Sequence, residues 1–315
     1  MSLTLYYASD IHGSDLLWRK FVNAGRFYEA DVLVMGGDIT GKAVAPIVRE
    51  NNGFRATEIA GERVFDDEEL PALEKRVRDL GFYPLVTTPE ELAAAQKDEG
   101  AVTTFFYDAM AGSLERWLAL AEERLAGTEI RLYVMLGNDD EPRLRDVLAS
   151  SPLGVDPEDA TIDLGEGWQM FSCGHANPTP WNSPRELPEN ELETHLEELV
   201  AGADEMSRTA FNFHVPPIRT AIDRAPALDD SLKPIVRGGT VTMTAAGSQA
   251  VRNVIERHQP PLGLHGHIHE SRGAVKVGKT LCINPGSEYA EGVLHGAIVE
   301  LDRKKGLRNY QLVSG

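Results

Sequence analysis

Cysteine is scarce. Cys173 and Cys282 are the only two in 315 residues, too few for a disulfide framework or a four-sulfur zinc site. No run of about 18 apolar residues occurs, which excludes a membrane-spanning helix. Basic residues are the minority, 31 against 49 acidic, giving a formal net charge of −18. Such a field repels nucleic-acid backbones and anionic membranes unless the acid is confined to one region. Residues 1–10 contain no Lys or Arg and read as a strand, so no secretory leader is expected and the protein is expected to be cytoplasmic. The remaining composition is that of a soluble globular chain, long enough for one large domain or two ordinary ones.

Residues 3–8 and 31–35 are short β-rich runs, each ending in a polar loop. Between them Leu16, Leu17, Phe21 and Val22 fall at helical spacing, so the opening reads as strand, helix, strand. Residues 130–136 repeat the pattern, and residues 211–214 and 262–269 are later candidates. Sites of α/β sheets gather where strand carboxyl ends and their loops converge.

Two segments interrupt this series. Residues 42–128 predict a mostly helical insertion, a candidate cap, with a hairpin at Asn52-Gly53 and helices near 68–80, 89–98 and 113–126. Thr88-Pro89-Glu90-Glu91 is a capping box, and Leu114, Trp117, Leu118, Ala121 and Leu125 form a core-facing stripe. Residues 178–208 predict a Pro-rich loop followed by an acidic helix from about 189 to 201. Segment 41–128 holds 17 acidic and 10 basic residues, and 178–208 holds 8 and 2, so most of the net acidity lies in these excursions. The whole, 1–315, is expected to be a single domain.

The polar strand ends carry Asp10, His12, Asp38, Asn138, His214, His267 and His269, all oxygen or imidazole donors. Asp10 and His12 are two apart, as are His267 and His269, and period two on an extended segment puts both members of a pair on one face. Mixed imidazole and carboxylate donors suit Mn, Fe or Zn better than Mg or Ca. Seven donors exceed the three or four that one ion needs, which points to two ions about 3.5–4 Å apart.

Five blocks in order, Asp10-Ile11-His12, Gly37-Asp38, Gly137-Asn138, His214 and Gly266-His267-Ile268-His269, resemble the calcineurin-like metallophosphoesterase superfamily. The resemblance implies an α/β fold of two packed mixed β-sheets flanked by helices, a four-layer α-β-β-α sandwich. It also implies a ligand assignment: Asp10, His12 and His269 on one metal, Asn138, His214 and His267 on the other, and Asp38 as the bridge. Two divalent cations, two carboxylates and a bridging hydroxide leave about one net positive charge, so the pocket attracts phosphate despite the acidic chain. The implied activity is hydrolysis of a small phosphoester by that hydroxide; the acidic balance disfavours nucleic acid as a partner, and no membrane is expected.

One block departs from the pattern. The superfamily commonly has His after Gly-Asn, assisting departure of the leaving group, and here Asp139 stands there. An ionised Asp139 repels a dianionic monoester more than a monoanionic diester, which favours a phosphodiesterase acting on a cyclic nucleotide or a nucleotide derivative. Asp140 reads as a helix cap or a residue supporting the ligands. His265 shares strand parity with His267 and His269 and is a candidate to orient a ligand from behind. His175, Trp181 and Arg185 are candidates for substrate binding, Arg185 through a bidentate grip on phosphate and Trp181 by stacking. Competing readings are a non-catalytic scaffold that keeps the fold, with the excursions as its interface, and a nuclease. The intact donor set argues against the first and the acidic balance against the second.

Overall fold

The computed structural model describes residues 2–95, 97–153 and 156–315. Alternation within Ser2–Ala8 explains the layering. Leu3, Leu5 and Tyr7 face one way, into a core shared with Val32, Val34, Val299, Trp168, Met170 and Leu264. Tyr6 and Ala8 face the other way, onto Leu17, Trp18 and Phe21 of a helix. That helix, Asp15–Phe27, is capped by Ser14, whose hydroxyl accepts from the Leu17 N–H.

One sheet runs in the order Gly306–Ser314, His295–Asp302, Ser2–Ala8, Val32–Gly36, Arg131–Met135. Its last three strands are parallel. The other runs Gly273–Val277, Thr280–Asn284, Leu262–Leu264, Thr209–Phe213, Trp168–Cys173, Ile162–Gly165, with a parallel centre between antiparallel edges. The outer face of the second sheet, through Phe171, Phe211 and Phe213, is covered by helices Glu189–Val200 and Gln249–His258. The expected four layers are therefore present. No helix among the described residues is long and apolar enough to cross a membrane.

The acidic helix is part of this scaffold. It buries Leu192, Leu196 and Val200, and its Glu189 carboxylate accepts from the Gln249 and Ala250 N–H groups at the start of the neighbouring helix. Glu193 and Glu197 pair with Arg257.

Residues 42–128 hold more strand than the sequence reading anticipated. Val64–Phe65, Gly53–Arg55, Val44–Glu50 and Tyr83–Thr87 form a four-stranded sheet over a small core of Ala45, Ile47, Phe54, Leu73 and Val77. Only its Asn52-Gly53 turn was legible. Pro46 and Pro84 lie within the parallel pair of strands, where proline hides a strand signal, and the other two strands span only three and two residues. The predicted helix at 89–98 is Pro89–Ala95, residue 96 lying outside the described residues. The helix expected at 113–126 starts earlier, as Glu99–Leu125, capped by Asp98. It forms part of the outer layer, its Trp117 ring stacked on Trp18 at 5.2 Å.

Candidate metal centre

Asp10 and His12 follow Ser2–Ala8, Asp38 follows Val32–Gly36, and Asn138 follows Arg131–Met135, three adjacent parallel strands. His214 follows Thr209–Phe213, and His267 and His269 follow its parallel neighbour Leu262–Leu264. Both sheets thus deliver their donors to one rim. The His267 N–H, 3.0 Å from Asp10 Oδ1, ties one sheet's loop to the other's carboxylate.

The loops turn sharply to do this. Asp10, His12, Asp38 and His267 have φ of 58°, 39°, 49° and 66°, left-handed backbone that costs energy outside glycine and concentrates at functional sites. Two glycines let carboxylates lie against backbone. A Cβ on Gly137 would come 2.1 Å from Asp38 Oδ1, and one on Gly266 would come 2.4 Å from Asp10 Oδ2.

Asp10, His12 and His269 bring their donor atoms within 4.8 Å of one another, and so do Asp38, His214 and His267. His12 Nε2 is 2.9 Å from His269 Nε2. Asp38 Oδ2 lies 3.4 Å from His214 Nε2 and 4.0 Å from His12 Nε2, between the two sets. The Gly36 carbonyl holds His214 Nδ1 at 2.8 Å and so turns Nε2 inward, the usual way a backbone acceptor orients a ligating imidazole.

Burial pushes His12 down to about 3 and His267 down to about 4, with neighbouring imidazoles adding to the effect. Burial alone would raise Asp10, but His269 and His214 hold it at about 2. Asp38, likewise resisted by burial, is kept well below the carboxylate range by His214. His214 is opposed by burial yet lifted to about 9 by Asp38. His12 and His267 are thus neutral and both carboxylates ionised, as ligation requires, whereas His214 would give up a proton on binding a cation.

The residues fit divalent metal binding. His214 Nε2, His12 Nδ1 and Asn138 Oδ1 are buried without a hydrogen-bond partner, each an orphan costing about 1–3 kcal/mol. Cations would satisfy His214 Nε2 and Asn138 Oδ1. Loading stripped protein with Mn²⁺ or Zn²⁺ is therefore expected to raise its melting temperature, by the equivalent of about 4 kcal/mol at a thousand times Kd. A melting curve indifferent to every divalent cation tried would count against the site.

The other candidates divide. Asp140 accepts from the Ile39, Thr40 and Gly137 N–H groups and from the Thr40 hydroxyl. It fastens the Asp38 loop to the Asn138 loop rather than capping a helix. His265 bonds the Phe213 carbonyl through Nδ1 at 2.7 Å, bracing the residue before His214. Nearby, the Ser287 hydroxyl donates to the Asp10 carbonyl at 2.6 Å.

Arg185 does not reach for phosphate. Its side chain is 4% exposed and is spent on the carbonyls of Leu136 and Gly137 and on both oxygens of Glu158. Burying a guanidinium demands such partners. Trp181 is 52% exposed on its loop. His175 groups with Cys173 and His195 instead of with the seven donors. There burial pushes His175 to about 4 and the Cys173 thiol up to about 12, and the Arg185 guanidinium beside them disfavours a further cation.

Asp139 sits at the rim, and it is paired. Lys42 Nζ is 2.7 Å from Asp139 Oδ2, so the bare anion invoked against monoesters is neutralised. Lys42 and Tyr289, whose ring lies 4.7 Å from that of His12, were invisible to sequence reasoning, because neither belongs to a block. Beside His269 opens a polar cavity of about 310 Å³ lined by Arg272, Ser287, Tyr289 and His295.

No family model matches the chain. The uncharacterized protein MJ1162 of Methanocaldococcus jannaschii is 30% identical over 151 residues, spanning 47% of this chain and 61% of that protein, less than two thirds of its length. One solved structure superimposes with a TM-score of 0.58 at 17% identity, over 99% of each chain. Another, TT1561 of Thermus thermophilus, gives 0.52 at 15% identity, over 100% of this chain and 99% of that one. These two structures share the chain's fold of two sheets packed between helical layers, and on its rim the donor-bearing loops of both sheets meet.

Proposed function

We propose that the protein is a metal-dependent phosphoester hydrolase working with two ions, with small phosphodiesters as preferred substrates. The observation that carries this reading is the convergence of two donor triads, Asp10-His12-His269 and Asp38-His214-His267, on one rim. When bound, two such ions acidify a shared water and polarise phosphoryl oxygens. Asp38, lying between the triads, is placed to join them, since a carboxylate has two oxygens where an imidazole nitrogen has one lone pair. Asn138 offers its unpartnered Oδ1 to the second set.

Charge supports the diester preference. Counted with its ions and one ionised water, the cage carries about one net positive charge, and the Lys42–Asp139 pair adds none. That matches a monoanionic diester better than a dianionic monoester. With metal-loaded protein, bis(p-nitrophenyl) phosphate is expected to turn over at least about tenfold faster than p-nitrophenyl phosphate, a difference near 1.4 kcal/mol. A strong preference for the monoester would remove the diester reading. Hydrolysis of neither ester with any metal tried would remove the hydrolase reading as well.

A further inference from the structure

We propose that Lys42 is a catalytic cation that contacts the phosphoryl oxygens of the substrate, and that Asp139 is the residue that positions it. The proposal rests on the hydrolase reading and adds a residue outside the five blocks.

Asp139 is held from several sides. Its Oδ1 accepts from Asn138 Nδ2 and from the Ser183 hydroxyl, and its own N–H donates to Asp38 Oδ1 at 3.0 Å. Its carboxylate lies within 4.8 Å of donor atoms of both His12 and Asp38. Oδ2 is left for Lys42 Nζ, 2.7 Å away. The Lys42 side chain is 43% exposed, so the ammonium stands at the open edge of the donor cluster. An ammonium has three N–H donors, and Asp139 engages one.

Oxygens of a phosphoryl group that face away from the ions need donors from the protein, and removing one such donor typically costs 10²–10³ in rate. Arg185 is sequestered beneath the loop by Glu158. Lys42 is a cation at the rim with donors to spare. A lysine side chain is long and freely rotating, which gives the anchored carboxylate a purpose: it fixes the ammonium without adding net charge. Burial draws the Lys42 pKa down, but Asp139 and Asp38 more than reverse this and keep it charged.

The test uses metal-loaded wild type, Lys42→Gln, Lys42→Arg, Asp139→Asn and the double variant Asp139→Asn/Lys42→Gln. Hydrolysis of bis(p-nitrophenyl) phosphate, calorimetric binding of inorganic phosphate and metal content are measured on each. Lys42→Gln is expected to lower kcat/KM about 10²-fold and to weaken phosphate binding about tenfold, with metal content unchanged. Lys42→Arg keeps most of both. Asp139→Asn loses less than Lys42→Gln, and nothing further once Lys42 is gone, as for residues acting as a unit.

Wild-type phosphate affinity and turnover in Lys42→Gln would overturn the proposal. Loss of metal from Asp139→Asn would also overturn it, since Asp139 would then be a ligand. If wild type hydrolyses nothing, the hydrolase reading falls, while the phosphate titration still decides whether Lys42 meets the anion.

Discussion

Asp38→Ala, assayed with metals in excess, is expected to lose at least about 10³-fold in kcat/KM, on the order of 4 kcal/mol of transition-state stabilisation. The carboxylate lies between the two triads, 3.4 Å from His214 Nε2 and 4.0 Å from His12 Nε2. Without it neither set has a shared oxygen, and the buried His214 ring loses the charge that lifts its pKa to about 9. Metal analysis of the same sample should show fewer ions per chain than wild type. Asp38→Asn separates charge from shape, since the amide oxygen remains in place; it should retain more metal than Asp38→Ala and still be slow. Near wild-type turnover in metal-replete Asp38→Ala is incompatible with the mechanism.

Arg185→Ala carries the largest expected effect on stability, about 3–5 kcal/mol. Its guanidinium binds Glu158 through two oxygens and supports the Leu136 and Gly137 carbonyls, and Glu158 in turn holds the Gly174 N–H. Truncation leaves a buried carboxylate without its cation. The melting temperature should fall on the order of 10 °C. Arg185→Lys should rescue only part of this, because an ammonium cannot reproduce the two-pronged contact. The loss should also reach the site, since the Arg185 guanidinium donates to the carbonyl of Gly137, the residue before Asn138, at 3.2 Å. A melting point within a degree or two of wild type would show that Glu158 finds another partner.

Local chemistry was readable where local chemistry decides. Each of the seven oxygen and imidazole donors sits a few residues past an apolar strand, but the two-residue spacing of Asp10/His12 and His267/His269 is not strand alternation, because Asp10, His12 and His267 have left-handed backbone. The β-rich run at residues 3–8 anticipated the strand that the structure buries between a helix and the second sheet. The sheet within 42–128 was largely hidden, because its strands are short and carry Pro46 and Pro84. Arg185 misled for a different reason. A cation near a Pro-rich loop invites a phosphate, and nothing nearby in the chain announces that Glu158, more than two dozen residues earlier, claims it.

From the sequence alone came these oxygen and imidazole residue types and their position just past strand ends, since both follow from side-chain chemistry and the apolar runs before them. Tertiary structure alone decided which charges are spent and which are free. Lys42 meets Asp139 across nearly a hundred positions, and the His267 N–H reaches Asp10 across 257. Such pairings are set by how two sheets and an inserted segment pack, and packing couples residues that no local pattern connects.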